Sequence, residues 1–125
     1  MNAQLMAKTA YGNAATPVRT DRGTEYALFT RITHRMRNAA LKGPSGFVEL
    51  SAALYENRQL WTTLAADVAG TDNALPAGLR GQIFYLCEFT TLHTRKVLKK
   101  KANVLPLIEI NIMMMRGLGI ERIEK

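Results

Sequence analysis

Cysteine is nearly absent from this chain: Cys87 is the single one in 125 residues. That excludes an internal disulfide framework and fits a reducing compartment. Long hydrophobic runs are absent too. The most apolar stretch, Val104 to Met115, is broken by Glu109 and Asn111, and it falls well short of the ~20 apolar residues that cross a bilayer. Residues 1 to 20 lack a basic segment followed by a long apolar one, so no secretory signal is read there. A cytoplasmic location and no membrane partner are therefore expected. Residues able to do chemistry are sparse. The only serines are Ser45 and Ser51, and neither sits in a nucleophile elbow. His34 and His93 are far apart in sequence, and the spacing of Cys87 and His93 puts them on different faces of a helix. No phosphate loop, dinucleotide fingerprint, zinc spacing or calcium loop occurs. Neither an enzyme nor a cofactor or metal site is expected. Acidic side chains are the minority, 10 against 17 basic ones, for a net charge of +7. That balance favours acidic partners without saying which.

What is present is helical patterning on the scale of one domain. Hydrophobic residues make up 47% and charged residues 22%, proportions that support a single globular core. From about Thr20 or Asp21, both suited to cap a helix, Phe29, Ile32, Met36 and Ala39 recur three or four apart. Lys42-Gly43-Pro44 ends that stripe. Ser45 is the expected cap of the next helix, where Phe47, Leu50, Leu54, Asn57, Trp61, Leu64 and Val68 alternate three and four apart. Gly70 stands where a closing glycine belongs. Pro76 is expected as the first residue of a third helix with Leu79, Ile83, Leu86, Phe89 or Thr90, His93 and Val97 on one face. Ala102-Asn103 breaks the pattern. Val104 to Leu118 is then apolar almost all round, with Gly117 and Gly119 as stops. Such a helix either lies at the centre of a bundle or awaits a partner. The expected fold is all-α, a single domain over 1–125. It is a small bundle of four main helices at about 20–42, 45–69, 76–102 and 104–118, with a short N-terminal segment of some helical character. Residues 1–19 and 119–125 are expected to be less firmly held.

Several residues carry two readings. Basic side chains cluster at Arg31, Arg35 and Arg37 and again at Arg95, Lys96, Lys99, Lys100 and Lys101. Either they contact RNA phosphates, or they form a solvated face and complement a helix dipole. No aromatic interleaves with them as a base-stacking platform requires. His93 on an apolar face suits a core histidine bonded to a carbonyl, and Cys87 suits a small buried hydrophobe. Met113-Met114-Met115 either fills core gaps or lines an adaptable binding surface. Asn57 sits on an apolar seam, where a buried amide must be bonded and can set register.

Asn57, Leu60-Trp61, Leu64 and Asp67, followed by Asn73-Ala74-Leu75-Pro76 and Leu79-Arg80, resemble the signature of the alphaproteobacterial FlaF family of flagellar biosynthesis regulators. Leu107 to Asn111, Ile112-Met113 and Gly117-Leu118 are similar to its C-terminal part, and Glu25 through Arg35 to its first long helix. The likeness covers about residues 20 to 118. The extra methionines and the basic run Lys99 to Lys101 depart from it. The resemblance implies a small helical protein that acts on flagellin, without catalysis. It implies control of flagellin production after transcription and of readiness for export, alongside a second regulator, FlbT. On this reading a groove between helices takes a flagellin helix. Trp61, Leu64, Ile108, Ile112 and Met115 would be its apolar anchors, and Asn57 and Asn111 its directional hydrogen bonds. The alternative is direct binding of flagellin mRNA through the two basic clusters. Monomer and homodimer both stay open, the latter burying the C-terminal helix against itself.

Overall fold

The computed structural model of the chain describes residues 22–70 and 76–124. It holds α1 (Arg22–Leu41), α2 (Phe47–Val68), α3 (Ala77–Leu98) and α4 (Leu105–Glu124), with a 3-10 turn, Gly43–Gly46, between the first two. No strand occurs among the described residues. The expected all-α bundle is what forms, because each helix carries an apolar stripe that only another helix can cover. The helices pack in a ring. α1 touches α2 and α4, α2 touches α3, and α3 touches α4 least of all, while α1–α3 and α2–α4 face each other across the diagonals. The expected N-terminal helical segment and the Thr20 or Asp21 cap lie outside the described residues.

Two apolar clusters fill the interior. One, toward the end with the α1–α2 and α3–α4 connections, joins Ile32, Met36, Ala53, Leu54, Val97, Val104, Leu107 and Ile108. The other joins Phe29, Trp61, Leu64, Val68 and Ile83. There the Phe29 ring meets the Trp61 indole edge-on, with centroids 5.7 Å apart. The α1 and α2 stripes read from spacing are the ones buried, with Phe47 and Leu50 half-buried. α4 is not central. It occupies a corner of the ring, with Val104, Leu107, Ile108 and Asn111 inward and Leu105 and Met113 exposed.

Several boundaries differ from the expected ones. Ser45 does not cap α2: its hydroxyl donates to the Lys42 carbonyl (3.0 Å), and the N-cap is Gly46 with no side-chain cap. Glycine is required at that N-cap, since a Cβ at Gly46 would lie 2.3 Å from the Ala39 carbonyl oxygen. Gly43 before it takes φ 66, as a reversal after α1 requires. Gly43 is the only described glycine with positive φ, so Gly70 closes α2 without a left-handed turn. Pro76 is the N-cap of α3 rather than its first helical residue, with ψ 149. α3 stops at Leu98, not near 102. The Lys100 N–H donates to the Val97 carbonyl and the Lys101 N–H to the Lys96 carbonyl, both at 2.9 Å, with Lys100 at φ 62. This is a Schellman turn, which places Lys99 to Lys101 in the connection. Asn103 then caps α4, its Oδ1 accepting the Leu105 N–H at 2.9 Å. α4 continues through Gly117 and Gly119 to Glu124. An interior glycine costs a helix only ~1 kcal/mol, which is not a stop by itself.

Candidate functional site

Asn111 of α4 sits at the centre of a buried amide relay. Its Nδ2 donates to Thr33 Oγ1 (3.1 Å) on α1 and to Asn57 Oδ1 (2.8 Å) on α2. Its Oδ1 accepts the Trp61 indole N–H at 3.0 Å. All four residues are buried. The indole N–H can only donate, so the Asn111 atom facing it is the oxygen. That choice turns the Asn111 nitrogen toward Asn57 and Thr33 and makes the facing Asn57 atom its oxygen. The relay therefore has a defined polarity set by one tryptophan. It crosses the α2–α4 diagonal and ties three helices together. Each such bond contributes ~1 kcal/mol net, and orphaning a buried group costs ~1–3 kcal/mol.

α3 takes no part in the relay. Its inward hydroxyls, Thr90 Oγ1 and Thr94 Oγ1, are buried without a partner, as is Asn57 Nδ2. α3 is instead held by packing, and at its end by His93 Nε2, 2.8 Å from the Asn103 carbonyl oxygen. Phe89 stacks on His93 (5.3 Å between centroids), which identifies this flank of α3 as the one turned to α4. Tyr85 and Leu92 share that flank by helical spacing and are exposed. On α4, Met115 turns to α1, where its sulfur lies 3.2 Å from the Thr30 hydroxyl, which also reaches the Tyr26 carbonyl at 2.9 Å. Ile110, Met113 and Met114 lie on the opposite flank, toward α3. Ile110 and Met114 are half-buried and Met113 is exposed. The two helices of the weakest contact in the ring thus both carry exposed apolar side chains.

Of the seven residues singled out in the sequence as anchors, Asn57, Trp61, Leu64, Ile108 and Asn111 face the interior. Ile112 and Met115 are half-buried. Asn57 and Asn111 bond to each other. The three consecutive methionines point three ways, as a helix demands. Thr90 was one of two alternatives for its place on the α3 stripe and is the buried one; Thr33 and Thr94 were not singled out, because nothing in sequence separates an inward threonine from a surface one. Phe89 was the other alternative on the α3 stripe and is half-buried, while Tyr85 and Leu92 were not singled out.

The basic residues fall into two different settings. Arg31 (3.6 Å) and Arg35 share the carboxylate of Glu56, while Arg37 is exposed. Arg95, Lys96, Lys99, Lys100 and Lys101 have no acidic partner among the described residues. Cys87 is half-buried, and burial pushes its thiol pKa up against the opposing charge of Arg58. No three His, Cys, Asp or Glu gather to hold a metal among the described residues. The relay contains no titratable group and acts as a structural tie.

No curated protein and no solved structure matches the chain significantly. Residues 7–118 match the family described as "Flagellar protein FlaF". The match covers the first three helices, most of α4 and both buried clusters, and the chain belongs to the FlaF family of flagellar proteins.

Proposed function

We propose that this protein is a non-enzymatic regulator of flagellum biogenesis acting in the cytoplasm. It binds flagellin, alone or together with an FlbT-type partner, and so controls flagellin synthesis after transcription and keeps flagellin ready for export. The supporting observation is the α3–α4 seam. Tyr85 and Leu92 of α3 and Met113 of α4 are exposed, and Phe89, Ile110 and Met114 on the same two helices are half-buried. An amphipathic flagellin helix laid along this seam would cover them, as helix-in-groove recognition does elsewhere. Thioethers suit such a surface because they adapt to varied apolar shapes. The contact surface in this reading shifts from the buried Asn57–Trp61 face to the outer flank of the helices beside it.

Calorimetry of the whole chain against flagellin, with and without the partner regulator, tests the reading. Binding should tolerate moderate salt and show a negative heat-capacity change, because apolar surface is buried. Tyr85→Ser with Leu92→Ser and Met113→Ser should weaken it about tenfold or more with helicity intact. Absence of binding heat in both arrangements would overturn it. Direct RNA binding is the second reading, favoured by the unpaired cations from Arg95 to Lys101. It requires a steep loss of affinity for flagellin leader RNA with salt. It also requires loss of a gel shift in a chain with Arg31, Arg35, Lys99 and Lys100 changed to glutamate.

A further inference from the structure

The end of the bundle with the α1–α2 and α3–α4 connections is apolar and cationic at once. Leu41 in the last turn of α1 is 79% exposed and Val48 in the first turn of α2 is 80% exposed. Leu98 closes α3 and Leu105 opens α4, and both are exposed as well. Around them stand Lys42, Arg95, Lys96, Lys99, Lys100 and Lys101, all exposed. Only Lys42 among these has an acidic partner within the described residues, Glu49 at 2.6 Å. The Lys100 ammonium lies 4.7 Å from the centre of the Phe47 ring. That contact sets the α3–α4 connection against the start of α2, so the cations and the aliphatic residues stand at the same end of the bundle.

Lys100 stands at the tip of the connection between α3 and α4. It takes φ 62 at the position after α3 where glycine is the unstrained residue. The Schellman turn that closes α3 demands this conformation, and it sets a lysine at the tip of a basic turn.

We propose that this end of the bundle docks on an anionic membrane surface. Leu41, Val48, Leu98 and Leu105 would enter the headgroup region while the lysines face lipid phosphates. The four aliphatic residues come from four helices whose ends meet at this end of the bundle, a spread that suits an extended surface better than one partner helix or strand. Shallow apolar insertion and a polybasic cluster are each weak membrane signals, and together they hold a protein reversibly at a surface. Nucleic acid would use the cations and leave the aliphatic residues without a role. Lack of a spanning segment is no obstacle: no described helix is long and apolar enough to cross a membrane, and surface docking needs none. The surface differs from the α3–α4 seam, and the proposal stands apart from the flagellin reading.

Flotation of the whole chain with vesicles of phosphatidylglycerol and phosphatidylcholine, against phosphatidylcholine alone, is the test. Binding should occur on the anionic vesicles only and fall as salt rises. Lys99→Glu with Lys101→Glu should lower the bound fraction about tenfold or more. Leu41→Ser with Val48→Ser should lower it several-fold at unchanged charge and helicity. Lys100→Gly should raise the melting temperature while weakening binding, which a purely structural lysine would not do. The proposal is overturned by no binding to anionic vesicles, by equal binding to neutral ones, or by binding that ignores the serine pair. It is also overturned if single-stranded RNA displaces the protein from the vesicles at lower concentration than lipid phosphate, which would make the cluster a nucleic-acid site.

Discussion

α1, α2 and α4 are joined by directional bonds, whereas α3 is joined by packing. The Asn111 amide reaches Thr33, Asn57 and Trp61, and so links three helices through one side chain. α3 offers the same interior only Thr90 and Thr94 hydroxyls that find no partner. It also meets α4 through the weakest contact in the ring, beside Tyr85, Leu92 and Met113, all exposed. The difference separates two tasks within one small bundle. A polar tie specifies which faces of three helices meet, since misalignment would orphan buried amides. The packed helix leaves apolar side chains exposed, and its directional contact, His93 Nε2 with the Asn103 carbonyl, lies at its end.

The largest expected effect breaks the tie itself. Asn111→Leu leaves the Trp61 N–H, Asn57 Oδ1 and the Thr33 hydroxyl buried and unserved, and should destabilise the protein by about 3–5 kcal/mol in urea unfolding. A loss below ~1 kcal/mol would show that the relay is dispensable. A paired substitution sharpens the contrast between regions. Thr33→Val removes an acceptor from Asn111 and should cost ~1–2 kcal/mol. Thr94→Val removes a hydroxyl that bonds to nothing and should be neutral or stabilising by up to ~1 kcal/mol. Equal losses at the two sites would mean that α3 is tied as firmly as α1. The smallest effect belongs to Glu56→Gln, which releases Arg31 and Arg35 on the outer face of the α1–α2 pair. Those side chains are 54% and 40% exposed, so solvent screens the pairs and the loss should stay within ~1 kcal/mol and shrink with salt.

The class of fold and most of the α1 and α2 core were legible because amphipathic spacing is local. Phe29, Ile32, Met36 and Ala39 declare a face within three turns of helix, and Leu54 through Val68 declare another. Ends were less legible. Ser45 is a good cap by residue type, but the N-cap of α2 is Gly46, where a Cβ would meet the Ala39 carbonyl oxygen. Gly117 and Gly119 read as stops, yet α4 passes through them, since the cost of two glycines is small against continued helix bonding. In the candidate site, Asn57 was legible as an anomaly but its partner was not. Asn57 and Asn111 are 54 residues apart and meet across a diagonal, a relation that no short window contains.

Sequence by itself determined that this chain is a helical bundle with a polar residue on its best seam, a single thiol and an excess of cations. Each of these follows from residue type and spacing within a few turns. Only the tertiary structure decided which polar groups meet, that α4 takes a corner rather than the centre, and that Lys99 to Lys101 join four exposed aliphatic residues on one end. Those outcomes depend on distances between segments remote in the chain. They are set when apolar stripes are packed and buried polar groups must find partners in the geometry that packing leaves.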